Sequence, residues 1–146
     1  MRALSPLFET HGVDIVLNGH EHTYQRTRPL RFVPRDLSRV GAVGSGERLV
    51  PGTFTIDMDF DGERNNRARG IVHITTGAAG KYLYAPDRNN RLDLCRHPED
   101  GNIDYAVRFV TDRFSFTVFD MDSRSLTLRQ VDQWGETIDR CRWTRG

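Results

Sequence analysis

Five residues, Val13-Asp14-Ile15-Val16-Leu17, form an almost unbroken apolar run that ends against Asn18-Gly19-His20-Glu21-His22. A run so short and so apolar is the pattern of a strand covered on both faces, and a chain that contains one must build layers around it. Upstream, Leu4, Leu7 and Phe8 recur at helical spacing, and Gly12 is placed to stop a helix just after His11. Together the two segments predict the helix-to-strand unit of a layered α/β fold, with His11 as a surface or capping residue. The histidine-bearing segment then leaves the strand at the end where open α/β sheets keep their chemistry.

The rest of the chain reads mostly as strands. From Thr27 to Gly52 the pattern dissolves into Pro29, Pro34, Pro51 and the glycine cluster Gly41 to Gly46, which predicts a long loop. Those glycines fit neither a dinucleotide fingerprint nor a phosphate loop, and a long loop beside a site can act as a lid. Phe54, Ile56, Met58 and Phe60 alternate with Thr55, Asp57, Asp59 and Asp61 up to an Asp61-Gly62 turn, the pattern of a half-exposed strand. The same residues spell the opening of a calcium loop, but Ala68 stands where the bidentate glutamate belongs. Ile71 to Thr76 predicts another strand running into Gly77-Ala78-Ala79-Gly80, with His73 packed in mid-strand. Tyr82 to Asp104 is irregular, and its Asp93, Cys95 and His97 make only a weak zinc pattern. Phe114 to Met121, Leu126 to Val131 and Thr137 to Trp143, joined by turns at Asp122–Ser125 and Trp134-Gly135, predict a closing antiparallel meander.

Composition excludes several classes. With 21 basic and 20 acidic residues, nothing marks an electrostatic footprint for nucleic acid or an anionic membrane surface. No apolar run approaches the roughly 20 residues needed to span a bilayer, and the first eight residues lack the apolar core of a signal peptide. Arginine supplies nearly all the positive charge, Lys81 being the one lysine; arginine grips phosphate in a bidentate way, and a GC-rich gene gives the same bias. Cys95 and Cys141 are either free or bridged to each other.

Two imidazoles two residues apart, just past a buried strand, have metal-ligand spacing: in an extended segment both project to one side. The string Gly19-His20-Glu21-His22, followed by Tyr24, Arg26, Pro29 and Leu30, resembles the last signature of the calcineurin-like metallophosphoesterases and is most similar to their purple acid phosphatase branch. Gln25 departs from that branch, where a glutamate usually follows the tyrosine. The resemblance implies that His20 binds one metal ion and His22 another, with Fe, Zn or Mn ions as cofactors and a phosphate ester as substrate. It gives Tyr24 a supporting or substrate-facing role. Arg26 contacts a substrate phosphate or pairs with a neighbouring carboxylate.

The resemblance also implies a gap. The family draws its remaining ligands, carboxylates and further histidines, from signatures upstream of this element, and only ten residues precede His11. Residues 1–146 therefore read as a single, partial domain: the carboxyl-terminal portion of a layered metallophosphoesterase sandwich, one amino-terminal helix followed by mostly β-strands. Two imidazoles alone make a weak, open site, so the chain by itself is expected to lack a full active centre. The rival reading is a catalytically inactive β-rich fragment or interaction module that keeps the two histidines. A sheet missing part of its strands exposes an edge and an apolar face, so self-association, or pairing with an amino-terminal portion, is expected; a clean monomer in sedimentation would count against it.

Overall fold

The apolar run after the helix forms strand β1, Ile15–Asn18, and its neighbour is not the next strand in sequence but a distant one. β1 pairs in parallel with β5, Val72–Thr76, with Ile15 opposite Val72 and Asn18 opposite Thr75. Parallel pairing needs a crossover, and the segment between them supplies β2, Tyr24–Thr27, and a hairpin of β3, Leu30–Pro34, with β4, Gly52–Ile56. β2 returns antiparallel to β5, and β6, Ala106–Val110, lies antiparallel to β2. The resulting sheet has the order β1-β5-β2-β6. The structure, a computed structural model, describes residues 2–35 and 50–144, the side chain of Glu99 excepted.

The meander follows the predicted pattern. β7, Ser115–Met121, β8, Ser125–Asp132, and β9, Thr137–Thr144, pair antiparallel in sequence order. Its inner face packs on the four-stranded sheet: Tyr24, Val72, Ile74 and Val110 from one layer meet Leu128, Cys141 and Trp143 from the other, with Phe60 between them. One helix, α1 at Ser5–Thr10, precedes this mostly β architecture, so the fold is α/β and closes on an antiparallel meander. α1 begins with Pro6 in its first turn, where a missing N–H costs nothing. It stops at His11, whose N–H donates to Leu7 O at 3.1 Å. No helix among the described residues is long and apolar enough to cross a membrane.

Three expectations change. The stretch from Thr27 to Gly52 is not loop throughout, since β3 occupies Leu30–Pro34; Pro34, a residue that ordinarily breaks strands, is tolerated as the last strand residue, opposite Gly52. The glycine cluster Gly41 to Gly46 lies outside the described residues. The alternating run stops as a strand at Ile56, because Asp57 turns inward and accepts bonds from Arg69 N at 2.9 Å and Arg69 Nη2 at 3.0 Å. Arg69 also reaches Asp59, while Asp61 caps the N–H groups of Glu63 and Asn65, so arginine and turn amides take up the carboxylates of the calcium-like string. β6 was not anticipated at all. Cys95 and Cys141 are both free thiols; burial pushes Cys141 up to about 12.

Candidate metal centre

His20 and His22 lie on the link between β1 and β2, at the carboxyl end of β1. The link is not extended. His20 has φ +76°, in the left-handed region that non-glycine residues rarely adopt, and Glu21 N–H donates to Gly19 O across it at 3.0 Å. An i to i+2 bond about a central residue with φ near +75° is the strained form of the γ-turn. A second such bond, Thr23 N–H to Glu21 O at 2.8 Å, spans His22. The expectation of two side chains aligned by strand alternation is therefore replaced: each histidine sits at the apex of its own tight turn. Strain of this kind persists only where the surroundings over-determine it.

Those surroundings are the glycine turn after β5 and the tyrosine-bearing segment beyond it. Gly77 N–H donates to Thr23 O at 3.1 Å, and a Cβ placed on Gly77 would lie 2.0 Å from Glu21 O. Only glycine lets the two backbones touch here. From that turn the chain runs past His22: Tyr84 N–H donates to His22 O at 3.3 Å, and the Tyr84 ring stacks on the imidazole with centroids 4.3 Å apart. Tyr82 meets the same imidazole edge-on at 5.3 Å.

The decisive contact is between His22 Nδ1 and the carbonyl oxygen of Tyr82, 2.7 Å apart. A carbonyl oxygen only accepts, so Nδ1 carries the hydrogen and donates it. In the neutral ring the lone pair then belongs to Nε2, the arrangement that metal-binding histidines use, with a carbonyl or carboxylate holding the other nitrogen. His20 is solvent-exposed. Among the described residues no group of three or more His, Cys, Asp or Glu side chains converges as a metal site. The residues present fit a metal ion as two imidazole donors, not as a complete ligand set.

Tyr24 and Arg26 point elsewhere. β2 carries both into the core, where Tyr24 Oη donates to Asp139 Oδ2 at 2.7 Å and Arg26 donates through Nε to Oδ2 at 2.6 Å and Nη2 to Oδ1 at 3.0 Å. Tyr24 is fully buried and Arg26 nearly so, which corrects their reading as substrate-facing residues. Of the two roles open to Arg26, the structure provides the carboxylate. Burial, and next the Asp139 charge, raise the Tyr24 hydroxyl above its ordinary range. For Arg26, burial opposes the charged form, but the Asp139 hydrogen bond and charge outweigh it and raise the guanidinium. Since Tyr24 follows the histidine link directly, Asp139 anchors that link from β9. The strand from Thr137 to Trp143 that carries Asp139 was visible in the sequence as a meander element; the partners of Asp139 were not.

His73 faces away from the core, on the side of β5 opposite Val72 and Ile74. There it lines a cleft of about 220 Å³ with Asn18, Gln25, Thr75, Arg2 and Tyr105. Burial pushes its imidazole down to about 4. The ordinary value near 6.5 applies to the unfolded chain, which therefore binds more protons between the two values. Stability is fully present above pH ~6.5 and falls as the pH drops towards 4, by about 3 kcal/mol in all. Urea unfolding at pH 7 and pH 4.5 should show much of this loss, and His73→Gln should flatten it; an unchanged slope in the variant would assign the loss to other groups. Asp93 pairs with Arg91, its guanidinium at 2.7 Å, rather than joining Cys95 and His97.

Comparison with known proteins adds a partial match. No family model matches the chain, and no solved structure matches it. Two proteins of Mycobacterium tuberculosis are similar: uncharacterized protein MT2654 of strain CDC 1551 / Oshkosh and uncharacterized protein Rv2577 of strain ATCC 25618 / H37Rv. Each is 36% identical over 75 residues, a stretch that covers 51% of this chain and 12% of the relative. The matched stretch is thus a small part of either relative's length.

Proposed function

We propose that this chain contributes two imidazole donors, His20 and His22, to the metal centre of a phosphate-ester hydrolase resembling the purple acid phosphatase branch of the calcineurin-like phosphoesterases. The observation that carries the reading is the 2.7 Å bond from His22 Nδ1 to Tyr82 O, which directs the lone pair to Nε2. The strained turn at His20 and the glycine turn pressed against Glu21 support it. Imidazole suits Zn and Fe, and the carboxylates expected of the remaining ligands also suit Mn. A pair of such ions supplies positive charge to the phosphoryl oxygens and activates the attacking water. The chain's own residues position: Tyr82 and Tyr84 clamp the His22 ring, and Asp139 holds Tyr24 at the exit of the link.

Zinc titration of the purified chain tests the donors. One weak site is expected, lost in both His20→Ala and His22→Ala; a wild-type chain that binds no zinc, or binds it equally after both substitutions, overturns the reading. Aryl phosphate hydrolysis with added Zn, Mn or Fe then asks whether this chain alone completes the centre. Rates equal to those of the variants are expected, and a rate well above them means that the other ligands arrive from a second copy or from further residues of this chain.

A further inference from the structure

The face of the four-stranded sheet that looks away from the meander is polar where the chain covers it. Asn18 of β1 and Gln25 of β2 both stand opposite Thr75 of β5, and His73 lies two residues back along the same strand, so four hydrogen-bonding side chains share one face. The other walls include Arg2 and Ser5 at the start of the chain and Phe32 and Phe54 of the β3-β4 hairpin, leaving the cleft of about 220 Å³. Arg2 is fixed there: its guanidinium lies 5.0 Å from the centre of the Phe54 ring and donates through Nη1 to Asp100 Oδ1 at 2.7 Å. Asn18, Gln25, His73 and Thr75 are partly buried, and their side chains make no hydrogen bond among the described residues. Polar groups withdrawn from water normally have partners, and going without one costs free energy. A sheet face that served only to carry a helix and a hairpin would be apolar.

We infer that this cleft binds a neutral polyol of monosaccharide size, held by hydrogen bonds from Asn18, Gln25, His73 and Thr75. Charge decides the first half of the inference. No carboxylate lines the cleft, Asp100 neutralises its guanidinium, and burial keeps the His73 ring uncharged at neutral pH, so an ion of either sign finds no counter-charge. Spacing decides the second. Neighbouring strands lie ~4.8 Å apart and alternate residues ~6.6 Å apart, which spreads the four groups over about 10 by 7 Å of floor. Amides and hydroxyls both donate and accept, and hydroxyls carried all round a small ring meet such a spread, whereas a nucleobase keeps its polar atoms in its own plane. The volume far exceeds the ~10–15 Å³ that one water needs and falls short of the ~300–1,000 Å³ of drug-sized pockets. The site uses neither His20 nor His22 and stands apart from the metal reading.

The test is an NMR titration of the full chain with four neutral probes, glucose, galactose, mannose and myo-inositol, set beside glucose 6-phosphate and cytosine. At least one neutral probe should move the side-chain amide signals of Asn18 and Gln25 together with the His73 ring. Gln25→Leu and Thr75→Val, the second keeping shape while removing the hydroxyl, should each weaken that probe about fivefold, the order of one net hydrogen bond. Glucose 6-phosphate should bind no more tightly than glucose. Silence from all four neutral probes, binding that survives both substitutions, or tighter binding of the phosphate or of cytosine overturns the polyol site.

Discussion

Asp139→Ala should lower the unfolding free energy by about 3–5 kcal/mol, the usual result of removing one partner from a buried ionic cluster. The Asp139 carboxylate is fully buried and accepts from Tyr24 and twice from Arg26, with Arg108 Nε a further 3.2 Å away. Without it the Arg26 guanidinium, whose side chain is 6% exposed, is left charged in the core with nothing to pair with. The cluster also ties β2 to β9, so the loss falls on the contact between the two sheets. Urea denaturation reads the difference as a shift in midpoint at constant slope. Adding Arg26→Met and Tyr24→Phe to Asp139→Ala should recover much of the stability, since the cost lies in the unpaired groups rather than in the net value of the bonds. A single-variant loss under about 1 kcal/mol would show that water reaches the cluster and screens it.

Gly77→Ala should act on the histidine link directly. The added methyl would stand 2.0 Å from Glu21 O and 2.8 Å from Glu21 C, both backbone atoms that no rotamer change can move. Either the link or the glycine turn must shift, at about 1–3 kcal/mol for an overpacked site of this kind. Because the same turn leads into Tyr82 and Tyr84, zinc affinity should fall together with stability. Gly80→Ala is the control, since a Cβ there meets nothing within 4 Å. Unchanged zinc affinity in Gly77→Ala would mean that the two segments are not held in contact in solution.

The layered α/β character and the closing meander were legible because their signals are local: an apolar run after a short helix, and alternating segments broken by Asp122–Ser125 and Trp134-Gly135. β3 was obscured by Pro34, which sits at the loop end of the hairpin opposite Gly52, and β6, Ala106–Val110, carries Arg108 among its apolar residues straight after an irregular stretch, so no alternation marks it. The strand predicted through Phe60 ended early because Asp57 found Arg69, a contact across twelve residues that alternation cannot reveal. At the site, the histidines were legible by type and spacing but their geometry was not. The turn at His20 comes from the positive φ, and the tautomer of His22 from a carbonyl sixty residues away in sequence. Likewise, Tyr24 and Arg26 read as site residues because they adjoin the histidines, whereas β2 turns both toward an aspartate 113 residues beyond Arg26.

The most direct measurement of the central claim is a long-range proton–nitrogen NMR correlation on the histidine rings, recorded during a zinc titration. Before zinc, the neutral His22 ring should carry its hydrogen on Nδ1 and its lone pair on Nε2. As zinc is added, the Nε2 signal should move while the Nδ1 hydrogen stays, and His20 should respond over the same range. A His22 ring that carries its hydrogen on Nε2, or whose nitrogens ignore zinc, would contradict the claim that this link is built to present metal ligands.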